Sequence, residues 1–251
     1  MTLSPIGTYA LFFFAGLASW ALSTLAAGGG SMLLLPVATY AVPANAVAPI
    51  VTVASLLASP TRIMLLWTNI RWRVVRHYLP GATLGAFLGS FALTHIAAEW
   101  LHIVVALFLI STFWQYRFGE RPRSFGMPLA WFVPLSVVVG LVSGLVGASG
   151  LLANPFYLNY GLIKEEMIAT RAVNSTAIQV TKLSAYGAFG VLSFDLLFDG
   201  LAAGAGAVVG IWISNRWLAH ISEKRFRQLS ILLMVTAGIL ILWQQRFYFI
   251  T

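Results

Sequence analysis

Gly28-Gly29-Gly30-Ser31-Met32-Leu33-Leu34-Leu35-Pro36 breaks one apolar stretch of the chain, and Gly147-Ala148-Ser149-Gly150, followed by a short run to Pro155, breaks another. Glycine allows a sharp turn and a close backbone approach, and proline limits the helix that follows. In a membrane chain, broken apolar segments at corresponding positions of two halves mark the place where a ligand is held.

Composition makes this a membrane chain. Apolar residues are 59% and charged residues 9% of the 251, against roughly 25% charged in a soluble domain. Long apolar windows lie at 6–26, at 47–67 around Arg62, and at 129–146, with a shorter one at 231–243; roughly 18 apolar residues mark a spanning helix. The first nine residues carry no Lys or Arg, so 6–26 reads as a retained helix rather than a signal peptide. With no cysteine, disulfides, thiolate metal sites and catalytic thiols are excluded. The net charge of +8 falls mostly in short loops, which is a topology signal and not a nucleic-acid surface. No cofactor and no metal are expected. The expected partners are the lipid bilayer and a small anionic substrate, with a homodimer left open.

The apolar segments form two similar sets. The first reads 6–26, 31–40, 44–68, 78–96 and 100–114; the second reads 127–146, 151–160, 168–191, 196–218 and 226–243. A polar connector, 116–124, joins them within a single transport domain, 1–251, made of a first repeat (1–118) and a second (127–251). One shift takes Gly28 and Pro36 to Gly147 and Pro155, and a shift two residues larger takes Gly85 and Gly89 to Gly206 and Gly210.

Loop charges orient the halves. Arg71, Arg73, Arg76 and His77 follow the third segment of the first half, where the second half has only Asp195 and Asp199. After the fourth segment Glu99 stands in the first half, while Lys224, Arg225 and Arg227 crowd the second. Positive loops stay cytoplasmic, so equivalent loops lie on opposite sides. The expected fold is an all-α polytopic membrane protein of two inverted repeats. Each holds a glycine-broken or re-entrant helix pair plus three transmembrane helices. The connector with Arg117, Arg121 and Arg123 is then cytoplasmic and both termini external. The ten-residue element 31–40 spans roughly 15 Å at 1.5 Å per residue, so it reaches only the middle of a core about 30 Å thick. Pro43 and Pro49 are expected to interrupt the helix that comes next.

A half-helix after a glycine turn presents free backbone N–H groups and the positive end of its dipole, which favours an anion. Gly28, Gly29, Gly30 and Ser31 supply this in one half, and Gly147, Ser149 and Gly150 in the other. Arg62 and Lys182 lie in the third segments, and a shift of 121 takes Arg62 to Leu183, one position from Lys182. Ionised side chains at that depth face a partner or a wet pathway, and neither segment offers a carboxylate. Arg171, Asn154, Asn174 and Gln179 complete the expected substrate site. The remaining glycines, such as Gly81 and Gly204, read as helix-packing positions.

These residues carry a family resemblance. Residues 28–36, their counterpart 144–155, the pair Ala169-Thr170 and the duplicated layout resemble the TauE/SafE sulfite exporter family over nearly the whole chain. The second cluster departs from the usual longer glycine run, and Asn154 precedes Pro155 where an apolar residue is usual. The resemblance implies a carrier in the bacterial inner membrane for small sulfur-containing or organic anions such as sulfite, sulfoacetate or related sulfonates. An exporter, not an enzyme, is expected, and an inside-negative potential would drive anions outward. An anion channel would use the same lining. A remote alternative, an intramembrane serine protease built on Ser149, needs a base within hydrogen-bond reach, and the only histidine after it, His220, sits beside a basic loop.

The inversion makes a direct prediction. A cysteine at position 71 (Arg71→Cys) should label from the cytoplasmic side and one at 195 (Asp195→Cys) from the outside; labelling of both from one side would contradict it.

Overall fold

The computed structural model describes residues 5–26, 28–93, 99–118, 123–147 and 150–244. Among them the chain is entirely helical, with ten α-helices: α1 (Pro5–Leu25), α2 (Gly30–Ala41), α3 (Ala44–Leu65), α4 (Trp72–Leu93), α5 (Glu99–Gln115), α6 (Phe132–Val146), α7 (Asn154–Tyr160), α8 (Lys164–Ala188), α9 (Phe194–Leu218) and α10 (Glu223–Gln244). Five are long and apolar enough to cross a membrane. The surface is apolar too: Phe14, Leu22, Phe87, Trp212, Trp217 and Trp243 point outward, while Arg62, Lys182, Asn174 and Gln179 are buried. That is the reverse of a soluble protein, and together with the spans it marks a multi-pass membrane protein.

Three details differ from the sequence reading. Pro49 does not interrupt anything: α3 runs through Pro49 and Pro60, and only Pro43 acts as a boundary, as the N-cap of α3. A proline removes a single intrahelical bond, and in a packed membrane bundle the freed carbonyl is re-satisfied locally. The charged clusters are also less loop-like than expected. Arg73, Arg76 and His77 ride on the first turns of α4, Asp195 and Asp199 on those of α9, and Lys224, Arg225 and Arg227 on those of α10. A helix satisfies its own backbone, so it begins before the apolar pattern does. The second short helix, α7, is seven residues where ten were expected, because 151–153 form turns that lead into it.

Small residues set the packing. On α1 and α9, a Cβ at Gly206 would meet the Phe13 carbonyl, and one at Gly210 the Leu17 carbonyl. On α4 and α6, the same holds for Gly85 against Val137 and Gly89 against Leu141. Backbones this close need glycine. Both pairs advance together in number, so α1 runs parallel to α9 and α4 parallel to α6. Gly200 meets Ile50 and Val53, and Gly204 meets Leu57, so α3 also runs with α9.

The central pair is α3 with α8, and it runs the other way. Gly147 packs on Ala48 near the start of α3 and accepts a bond from Lys182 near the end of α8. At the opposite end, the backbone N–H of Arg71, just past α3, donates to Thr170 near the start of α8 at 2.9 Å. The larger helix pairs match under exchange of α1–α5 with α6–α10: α4 on α6 matches α9 on α1, α3 on α9 matches α8 on α4, and α3·α8 and α5·α10 map onto themselves, whereas α2 packs on α1, α3 and α10 without an equivalent set for the shorter α7. Although α8 has 25 residues, it is too polar to count among the five apolar spans. Packing against α3 and α4 keeps its polar stripe inside the bundle.

Candidate anion site

Helical spacing brings the site together. Ser55, Ser59 and Arg62 stand at i, i+4 and i+7 on α3, and Arg171, Asn174, Ser175, Ile178 and Gln179 at i, i+3, i+4, i+7 and i+8 on α8; such spacings share one helix face. The two stripes face each other across a cavity of about 50 Å³, where one water needs about 10 to 15 Å³. The space suits a small ion. Gly30 and Ser31 of the first break and Gly150 of the second also line it, with Trp20, Tyr78 and Tyr157 as aromatic walls.

Arg62 and Arg171 both line the cavity, and among the described residues no Asp or Glu does. The Arg62 guanidinium donates to the Ser23 hydroxyl, to Thr24 Oγ1 at 3.1 Å and to the Trp20 carbonyl at 3.5 Å. It therefore sits on the C-terminal turns of α1, where a cation suits the negative end of the dipole. Its Nε has no hydrogen-bond partner among the described residues. Arg171 is held by both glycine breaks: a Cβ on Gly28 or on Gly150 would occupy the place of its guanidinium. Gly28 is in the left-handed region, with φ of 89°, which an L side chain adopts only at a cost. The acidic residues at the start of α8 are engaged elsewhere, Glu166 with Arg71 and Glu165 with Lys164 at 3.5 Å. The Glu166 carboxylate, by hydrogen bond first and charge second, raises the pKa of the Arg71 guanidinium.

The first turn of α2 adds to this field. Gly29 is its N-cap in the left-handed region, with no side-chain cap, so the leading N–H groups and the positive dipole end at Gly30 and Ser31 face the cavity wall. Two guanidinium groups and a helix N-terminus thus converge without a carboxylate. Tyr157 accepts a bond from Asn174 Nδ2 at 2.8 Å and stacks near Tyr78 and Phe132, which fixes the far wall.

Some of the expected site residues lie elsewhere. Lys182 is fully buried outside the cavity and donates to the Gly147 carbonyl at 2.7 Å. A shift of 120 takes Arg62 to Lys182, Ser55 to Ser175 and Ser59 to Gln179, and a shift of 119 takes Ser31 to Gly150 and Trp20 to Val139. Lys182 therefore does for α6 what Arg62 does for α1: each caps the end of the first helix of its own half. Gly29 packs on Leu151, Gly147 ends α6, and Asn154 begins α7 as a buried residue; none of the three lines the cavity. Ser149 lies outside the described residues. His220 is in the exposed turn after α9.

The sequence reading missed Trp20, Tyr78 and Tyr157, since aromatic residues in an apolar chain give no local signal. Ser55 and Ser59 were legible in principle, from their helical phase with Arg62.

The chain matches the family model described as sulfite exporter TauE/SafE over residues 11–241. No curated protein and no solved structure matches it.

The contact between Gly28 and Arg171 is testable by a double-mutant cycle on thermal unfolding. Gly28→Ala should cost about 1–3 kcal/mol through the strained φ and the displaced guanidinium. Gly126→Ala, which meets nothing within 4 Å, should stay within about 0.5 kcal/mol. The Gly28→Ala loss should shrink by at least about 0.5 kcal/mol in an Arg171→Ala background; full additivity would contradict the contact.

Proposed function

The chain belongs to the TauE/SafE sulfite exporter family, and from that premise we propose that it carries small sulfur-containing or organic anions, such as sulfite or sulfonates, out across the bacterial inner membrane. The observation that carries this reading is the cavity itself: Arg62, Arg171 and the first turn of α2 face it, with no acidic lining residue among those described. A buried cation in a membrane costs about 2.5 to 3.5 kcal/mol even on lenient scales. A bound anion offsets part of that cost while exchanging its own hydration for guanidinium and N–H donors.

The mechanism proposed is alternating access by two inverted halves, α1–α5 and α6–α10. Three observations support it. The larger helix pairs correspond when the halves are exchanged; α3 and α8 run antiparallel at the centre; and equivalent loops carry opposite charge. On that topology Arg71 is cytoplasmic and both termini are external. Arg62 and Lys182 then sit toward opposite faces as repeat mates, the first open to the cavity and the second sealed. Exchange of conformations between the halves would seal Arg62 and open Lys182. The membrane potential drives export, at about 2.3 kcal/mol per unit charge for 100 mV.

Proteoliposomes containing the full chain test this. A positive-inside potential should drive uptake of labelled sulfite or a sulfonate, with counterflow as expected of a carrier. Arg171→Gln and Arg62→Gln should each lower uptake at least about tenfold, whereas Lys224→Gln, on the exposed start of α10, should leave it unchanged. No response to any small anion would overturn the assignment.

A further inference from the structure

The cavity that presents so many donors also presents two acceptors with nothing to accept. Asn174 Oδ1 and Gln179 Oε1 are buried, and neither has a hydrogen-bond partner among the described residues. Both residues line the cavity, at 1% and 5% exposure. Rotatable hydroxyls line it too, those of Ser31, Ser59 and Ser175 among them, yet among the described residues none of them pairs with either oxygen. The Ser55 hydroxyl is committed to the Val51 carbonyl at 2.7 Å.

The orientation of the amides follows from the local field. Asn174 spends its Nδ2 on the Tyr157 hydroxyl, and turning the amide would aim another N–H into a space already faced by two guanidinium groups. Carbonyl oxygens are the ends that suit a positive cavity. A buried acceptor left unmade costs its desolvation, and a site of this kind discriminates strongly for ligands that satisfy it. An anion with acceptor oxygens alone answers Arg62 and Arg171 but neither of these amides.

We propose that the transported ligand is an anion that also bears a hydrogen-bond donor, an O–H or N–H group, which it presents to Asn174 Oδ1 or Gln179 Oε1, an ammonium group being able to serve both. The inference rests on the anion-carrier reading and sharpens its substrate class: singly protonated oxyanions, hydroxysulfonates and aminosulfonates fit, and fully deprotonated or alkyl oxyanions fit less well. The two halves of the ligand are read by different groups, the charge by α3, α2 and Arg171, and the donor by the middle of α8.

Isethionate and 1-propanesulfonate separate the two readings, because they match in charge and heavy-atom number and differ only in a terminal hydroxyl replacing a methyl. Binding to the purified full-length chain is followed by calorimetry, with inorganic sulfite as a third ligand. Isethionate should bind about tenfold more tightly than 1-propanesulfonate, and the ratio should fall toward one in Gln179→Met or in Asn174→Leu. Equal affinities for the two sulfonates in the wild type would overturn the donor proposal while leaving the anion site standing. A preference that persists undiminished in both variants would overturn the role of these amides. Binding of none of the three ligands would instead overturn the anion-carrier reading itself.

Discussion

Two guanidinium groups, Arg62 and Arg171, are held in the interior of a membrane bundle around a cavity that no carboxylate among the described residues lines, and the rest of the structure is arranged to make that tolerable. Arg62 is received by the last turns of α1, where carbonyl and hydroxyl oxygens concentrate. Arg171 is received by two glycines from different halves, because any Cβ at Gly28 or Gly150 would stand in its place. The glycine breaks are therefore not simply anion-binding turns. They make room for a cation first, and the α2 break also brings its first turn to the cavity wall.

Residues at matching positions of the two halves of the sequence meet at this cavity. Ser31 and Gly150, Trp20 and Val139, Ser55 and Ser175, and Ser59 and Gln179 are pairs at one near-constant sequence shift, and all line the same cavity. The departures from this pairing carry the polarity. Arg171, Asn174 and Tyr157 have Val51, Ala54 and Ala38 at the shifted positions, so the second half supplies most of the specific chemistry. The Arg71–Glu166 ion pair and the Arg71–Thr170 bond tie the halves together beside the cavity.

Much of this was legible in the sequence, for physical reasons that differ by element. The short helix predicted at 31–40 and found as Gly30–Ala41 was legible because glycine and proline act locally. Long apolar runs gave the spans for the same reason that hydropathy works at all: the bilayer leaves no alternative to a helix. Lys182 shows the limit. Its burial and charge were readable, but whether it faced the ligand depended on the phase of α8 and on which end of the bundle holds the cavity, both of which are set by tertiary packing. Arg171, seven residues into α8, reads from sequence as a site residue, but only the fold brings Gly28 and Gly150 against it. Pro49 failed as a boundary because one missing N–H is a small perturbation in a helix packed on all sides.

The most direct test of the central claim is the location of a bound anion. Selenite, a heavy isostere of sulfite, can be placed by anomalous diffraction from crystals of the full chain. Selenium between the Arg62 and Arg171 guanidinium groups, beside the first turn of α2, is the predicted result. Selenium at Lys182 with the Arg62–Arg171 cavity vacant, or only at exposed arginines such as Arg73, would contradict it.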